Sequence, residues 1–105
     1  MTRDHDLNLV VLSGRTTGPL RLVENGDGLR RVEGELEVRL VRPRRRVDSI
    51  PFVWPEPNLD VVAGAGAGAS VWMTGWLRAQ RGREAPSRGV ELVVHDVELR
   101  GPAAR

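Results

Sequence analysis

The segment from residue 31 to residue 40 alternates at every position between a charged residue and an aliphatic residue or glycine. The charged set is Arg31, Glu33, Glu35, Glu37 and Arg39, and the set between them is Val32, Gly34, Leu36, Val38 and Leu40. Side chains of a β-strand point alternately to opposite faces, so this pattern predicts a long strand with one buried and one charged face. Such a strand needs a sheet or a barrel to cover its apolar side.

Other strand-like segments lie between turn signals along the whole chain. Together with the first, the predicted strands cover residues 7–14, 20–23, 29–41, 47–54, 71–78 and 90–99. Asn25-Gly26 and Asp27-Gly28 predict a hairpin between the second and third of them. Pro51 predicts an edge or a bulge in its strand. Asn58 is the expected N-cap of a short helix over residues 58–63.

The order of these elements predicts an all-β fold. Five principal strands, an early hairpin and one short helical connector before the fourth principal strand are typical of a five-stranded Greek-key barrel of the OB type. The Gly-Ala alternation at residues 64–68 is expected to form the irregular part of that connector. A small β-sandwich is the alternative, and the position of the connector favours the barrel.

The length of 105 residues allows one domain. We expect a flexible N-terminus at residues 1–6, the OB-fold domain at residues 7–101 and a disordered tail at residues 102–105. No cysteine is present, which excludes disulfides, thiolate chemistry and a zinc ribbon. No apolar run has the length of a membrane span and the N-terminus has no signal-peptide pattern, so a soluble, cytoplasmic protein is expected.

The two tryptophans of the segment 71–78 are the first candidates for a binding surface. Period two places Trp72, Thr74 and Trp76 on one face, opposite an apolar set that can fill a core. Flat rings beside arginines stack unpaired bases and follow phosphates. The alternative is that these rings pack in the core or at a subunit interface, where tryptophan is common.

All sixteen basic residues are arginine, and two clusters of them are candidates for phosphate contacts. The first is a turn with Arg42, Arg44, Arg45 and Arg46, and the second comprises Arg78, Arg81, Arg83 and Arg88. Such contacts make binding strongly salt-dependent through counterion release. The formal net charge of only +2 does not by itself indicate a polyanionic partner, and a solvated turn is the alternative.

Three acidic residues argue against nucleic acid on one face of the long strand. Glu33, Glu35 and Glu37 would repel phosphate, so we expect their face to lie off the DNA path or to pair with arginines of a partner subunit.

Enzymatic chemistry has no support in the sequence. The glycines at residues 64–68 lack the Lys of a P-loop, and no Gly-x-Ser-x-Gly motif is present. His5 and His95 have no third metal ligand near them in sequence. We therefore expect no catalytic residue, no metal site and no cofactor.

Four sequence segments, taken in order, carry a family resemblance. They are Asn8-Leu9-Val10-Val11-Leu12-Ser13-Gly14, then Pro19 with Asn25-Gly26, then Gly68-x-x-Val71-x-x-x-Gly75-x-Leu77-Arg78, and last Glu91-Leu92-Val93-Val94-His95-Asp96-Val97. Over most of residues 7–101 the chain resembles the bacterial single-stranded DNA-binding protein family. The resemblance implies an OB barrel that assembles as a dimer or tetramer and coats single-stranded DNA without sequence preference.

The chain also departs from the pattern of that family. The long basic and aromatic hairpin of the family is shortened to about residues 42–46, and stacking aromatics are missing near Asp48 and Gly82. Trp54 stands at the place of a later family aromatic, so the resemblance implies that Trp54 stacks on a base. No disordered linker and no acidic, Phe-terminated tail are present, so we expect no recruitment of repair proteins. The primosomal replication protein N, a relative of the family, is an alternative likeness.

The sequence thus predicts a non-catalytic, oligomeric single-stranded DNA-binding protein of DNA replication, repair or recombination. Arginine–phosphate contacts and limited stacking by Trp54, Trp72 and Trp76 would supply its affinity. One alternative is a degenerate OB-fold protein-interaction or primosome-type module. Another is a single-stranded RNA binder, and a remote one is an enzyme that uses the barrel as a scaffold.

Overall fold

The computed structural model describes residues 6–24, 26–80 and 89–100. Its elements are β1 (Val10–Thr16), β2 (Arg21–Glu24), β3 (Arg30–Leu40), β4 (Arg46–Trp54), α1 (Leu59–Gly64), β5 (Ser70–Ala79) and β6 (Val90–Leu99). Each predicted strand and the short helix are present, and only the first strand is clearly displaced, starting at Val10 instead of Leu7. The predicted flexible N-terminus (residues 1–6) lies outside the described residues except for Asp6, and the predicted tail (residues 102–105), Gly101 and Asn25 of the hairpin signal also lie outside them.

The strands close into a five-stranded barrel, which confirms the predicted OB fold. The order around it is β1-β5-β6-β4-β3, and a pairing between β1 and β3 completes the ring. The β4–β6 pairing is parallel and the others are antiparallel. The short strand β2 adds to the edge of β3 outside the ring.

Aliphatic side chains from most of the barrel strands fill the interior. Val32, Leu36, Val71, Met73 and Leu92 are fully buried and belong to one core cluster. The alternation of β3 is therefore confirmed at its first half. Its last aliphatic residue, Leu40, is exposed because β3 extends beyond the barrel there.

Glycine allows close backbone approach at two crossings of the barrel. A Cβ at Gly14 of β1 would overlap the carbonyl oxygen of Glu37 on β3. A Cβ at Gly75 would overlap the carbonyl oxygen of Val93, at the bulge that β5 forms between Thr74 and Gly75. Bulges and glycines of this kind let strands bend sharply enough to close a barrel.

The helical connector begins with an N-cap and is bonded to the barrel through a buried threonine. The Asn58 side chain accepts from the backbone N–H groups of Asp60 and Val61, as predicted for an N-cap. The backbone oxygen of the buried Thr16 accepts from Gly68 N–H at 2.9 Å, and its hydroxyl donates to Gly66 O at 3.1 Å. The glycine-rich stretch after α1 is thus packed against β1.

Candidate nucleic-acid interface

The hairpin between β3 and β4 projects from the barrel as a two-stranded arm, here defined as residues 38–48. Its ladder pairs Val38 with Asp48, Arg39 with Val47 and Leu40 with Arg46. In the described chain, β3 pairs with β1 only up to Glu37, and β4 pairs with β6 only from Phe52. The arm therefore has both backbone edges open to solvent.

The arginines at the tip of the arm are exposed and separate from the carboxylates at its base. Arg46 pairs with Asp48 at 3.0 Å, and Arg39 pairs with Glu37 at 3.2 Å. The side chains of the other three have no ion pair or hydrogen bond to the described residues. These three are Arg42, Arg44 and Arg45. The turn thus presents three free cations and one, Arg46, that a carboxylate already partly neutralises.

The two tryptophans of β5 lie on the outer face of the barrel, as their spacing predicts. Trp72 and Trp76 are 44% and 42% exposed. The Arg100 guanidinium lies 5.1 Å from the ring centroid of Trp72, which is cation–π distance. Glu98 is directly opposite Trp72 on β6. The surface around Trp72 therefore combines an aromatic ring, a cation and a carboxylate.

Aliphatic residues continue this outer face onto β1. Val11 is opposite Thr74, between the two tryptophans, and it is exposed. Asp96 is opposite Thr74 on the other side. The backbone edge of β1 from Val10 to Gly14 that faces away from β5 has no strand partner among the described residues.

Trp54 does not lie on a surface, which corrects the stacking role implied by the family resemblance. The side chain is 2% exposed and belongs to the core cluster. Trp54 is opposite Val32, whose side chain fills the barrel, so the inward face of β4 carries the ring inside. A base cannot stack on a ring that other side chains already cover.

The second predicted arginine cluster is described at only one of its four positions. The Arg78 side chain binds the Glu91 carboxylate on the neighbouring strand at 2.8 Å. Arg81, Arg83 and Arg88 lie outside the described residues. Arg78 is therefore a paired cation, and an incoming phosphate would have to compete with Glu91.

A groove of about 610 Å³ lies between the β1–β2 loop and strands β3 and β4. Its lining includes Glu33, Glu35 and Glu91 together with Pro51 and Phe52. Glu33 pairs with Arg31 at 2.8 Å, and Glu35 accepts a hydrogen bond from Ser49 at 2.9 Å. The carboxylates of this face are thus held by neighbours within the same chain.

The sequence contained a signal for these ion pairs. Residues two apart on a strand share a face, so opposite charges at that spacing meet. Arg31–Glu33, Glu37–Arg39 and Arg46–Asp48 all have this spacing. Counting the charges of the arm without this pairing overestimates its free positive charge.

Two kinds of feature are absent from the described part of the chain. No group of three or more His, Asp or Glu side chains in it could hold a metal ion. Nor does any helix in it have the length and apolar character needed to cross a membrane.

Comparison with solved structures relates this barrel to a protein that was solved with nucleic acid. The chain is similar to Plasmodium falciparum SSB in a complex with ssDNA, with a TM-score of 0.75 and 18% sequence identity. The match covers 93% of this chain and 98% of the other. No protein-family model matches the sequence, and no curated protein matches it. At this identity the likeness establishes the fold.

Proposed function

We propose that this protein binds single-stranded DNA without catalysis and acts in the cytoplasm in DNA replication, repair or recombination. Its OB barrel is similar to that of a protein whose structure contains ssDNA. The observation that carries the proposal is the arm, because Arg42, Arg44 and Arg45 form no ion pair with any described residue. Exposed cations on a barrel of this type meet the requirement for sequence-independent contact with phosphates.

Arginine–phosphate contacts supply most of the proposed affinity. Each phosphate that a cation neutralises on single-stranded DNA releases about 0.7 counterion, so the three free arginines would contribute a salt slope of about −2. Arg46 and Arg78 would contribute less, since each already has a carboxylate partner. Arg81, Arg83 and Arg88 remain proposed contacts of the following loop.

The outer face with Trp72 and Trp76 is proposed as the subunit interface of a homo-oligomer, a dimer or a tetramer. Glu98 and Asp96 flank the strand that carries these rings and would repel phosphate. The exposed Val11 and the open edge of β1 favour contact with another protein chain. Base stacking by the two tryptophans is the competing assignment.

Fluorescence anisotropy with labelled oligo-dT at low and moderate salt tests the proposed function. We expect binding that weakens with salt. A triple variant Arg42→Gln, Arg44→Gln, Arg45→Gln should lose about two units of the salt slope. The matched control is Arg15→Gln, Arg21→Gln, Arg30→Gln, which removes the same charge from exposed positions outside the loop of the arm. No binding of oligo-dT at low salt would overturn the proposal.

A protein-interaction module is the second candidate, because the groove beside β3 and β4 is lined by three carboxylates against one arginine, Arg21, and this excess of acidic groups disfavours phosphate. That candidate predicts no affinity for oligo-dT and no effect of the arm variant. Single-stranded RNA in the same titration tests the RNA alternative, since arginines and rings do not by themselves distinguish the sugars.

A further inference from the structure

Three exposed aliphatic side chains are interleaved with the arginines of the arm. Leu40, Val41 and Val47 are 45%, 70% and 58% exposed. They lie at the end of the hairpin ladder and in its loop, outside the barrel core. Phosphate contact alone gives these side chains no partner, so the arm carries apolar surface that the proposed function does not use.

The charge distribution confines any contact with an anion to the tip. Glu37 and Asp48 lie at the base of the arm, each held by an arginine of its own strand. The free cations, Arg42, Arg44 and Arg45, all belong to the loop of the hairpin. The aliphatic and cationic groups are therefore presented together, at one end of a narrow ribbon.

The apolar part of this tip fits paired bases better than an unpaired strand. Residues 38–48 contain no aromatic ring, so the arm has no platform for stacking an unpaired base. Each cation gains more from a duplex, which releases about 0.9 counterion per phosphate against about 0.7 for a single strand.

The dimensions of the arm agree with this ligand. Paired strands lie about 4.8 Å apart, and the major groove, about 12 Å wide, admits a two-stranded ribbon. The three residue pairs from Val38–Asp48 to Leu40–Arg46 extend the arm by roughly 10 Å beyond the barrel. The tip can therefore contact a duplex while the barrel holds an adjoining strand.

We propose that the arm binds the duplex that adjoins a single-stranded segment, so that the protein prefers single-strand/duplex junctions. The proposal rests on the proposed function, because the barrel must hold the single strand. The loop arginines contact phosphates at the junction, while Val41 and Val47 pack against the base pairs next to it. Because the barrel and the arm belong to one fold, the second contact is intramolecular and raises the overall affinity.

Competition between three fluorescent probes tests this preference. The probes are an oligo-dT of about 16 nucleotides, the same oligo-dT as a tail on a duplex, and the blunt duplex. We expect the tailed duplex to bind roughly tenfold more tightly than the oligo-dT alone, and the blunt duplex to bind most weakly. The double variant Val41→Ser, Val47→Ser should keep its affinity for oligo-dT and reduce the preference to about twofold or less.

The control is Leu29→Ser, an exposed aliphatic position in the turn after β2, which should leave the preference unchanged. Val41→Ser alone, in the loop of the hairpin, repeats the test if the double variant is poorly folded. Oligo-dT binding without any gain from the duplex would overturn the junction proposal alone. The same holds if the double variant keeps the full preference, or if the blunt duplex binds as tightly as the tailed one. If the unaltered protein does not bind oligo-dT at all, the proposed function itself is overturned.

Discussion

Trp54 places a large ring in the core at the end of β4, and its indole N–H has no hydrogen-bond partner among the described residues. Burying a polar group without a partner costs roughly 1–3 kcal/mol, whereas the ring itself stabilises the core through its large buried area. These two contributions to the free energy of unfolding have opposite signs. They can be separated by comparing a substitution that removes the whole ring with one that removes only the indole N–H.

We expect Trp54→Ala to lower the free energy of unfolding by about 3–5 kcal/mol, because it leaves a large cavity. Trp54→Phe should cost clearly less, since it keeps most of the apolar contact and removes the unpaired N–H. Urea denaturation measures both. Oligo-dT affinity of the folded variants should be unchanged. Weaker binding of Trp54→Ala at full stability would show instead that the ring stacks on a base.

The bulge in β5 allows this strand to pair with both β1 and β6. At Gly75 the backbone of β6 approaches so closely that a side chain would meet the Val93 carbonyl. The bulge also changes the register, since Thr74 is opposite Asp96 while Gly75 is opposite Val94. The pairing of β5 with β6 thus depends on a position without a Cβ.

Gly75→Ala should destabilise the fold by more than about 3 kcal/mol, because backbone atoms cannot move aside as side chains do. Gly66→Ala is the control, since a Cβ there meets no atom within 4 Å. Its effect should lie within roughly 0.5 kcal/mol. Thermal unfolding followed by circular dichroism compares the two. Equal stability of both variants would mean that β5 can shift its register without loss.

At the scale of the whole molecule, the outer face of β1 and β5 carries exposed apolar side chains, and one edge of β1 has no strand partner among the described residues. Trp72, Trp76 and Val11 are exposed on this face, and Leu9 is exposed immediately before β1. Open edges and exposed rings favour association with another chain. This surface lies on β1 and β5, whereas the arm extends from β3 and β4. One surface can thus serve association while the other binds DNA.

The double variant Trp72→Ser, Trp76→Ser should shift the protein from an oligomer to a monomer, since it removes the largest apolar groups of the proposed interface. Light scattering coupled to size-exclusion chromatography measures the mass. Leu59→Ser on α1 is the control, because Leu59 is about as exposed as Trp72 but lies outside the proposed interface. An unaltered protein that is already monomeric, or a variant that remains oligomeric, would contradict this assignment.

Local patterns in the sequence determined most of the fold. The alternation of β3, the cap at Asn58 and the shared face of Trp72 and Trp76 all follow from the period or chemistry of a few neighbouring residues. The basic turn at residues 42–46 was also predicted from the sequence, whereas the extension of its two strands beyond the barrel was not. The role of its arginines in binding remains a prediction.

Only the tertiary structure decided which of the candidate side chains are available to a ligand. Closure of the barrel buries Trp54, and pairing across the strands gives Arg78 a carboxylate partner in Glu91. The extension of β3 beyond the barrel leaves Leu40 exposed, although Leu36 on the same face of β3 is buried. Period two specifies the face of a strand. Whether a residue on that face is covered by other strands or exposed to solvent depends on where along the strand the barrel ends. The end of the barrel is set by contacts between residues distant in sequence.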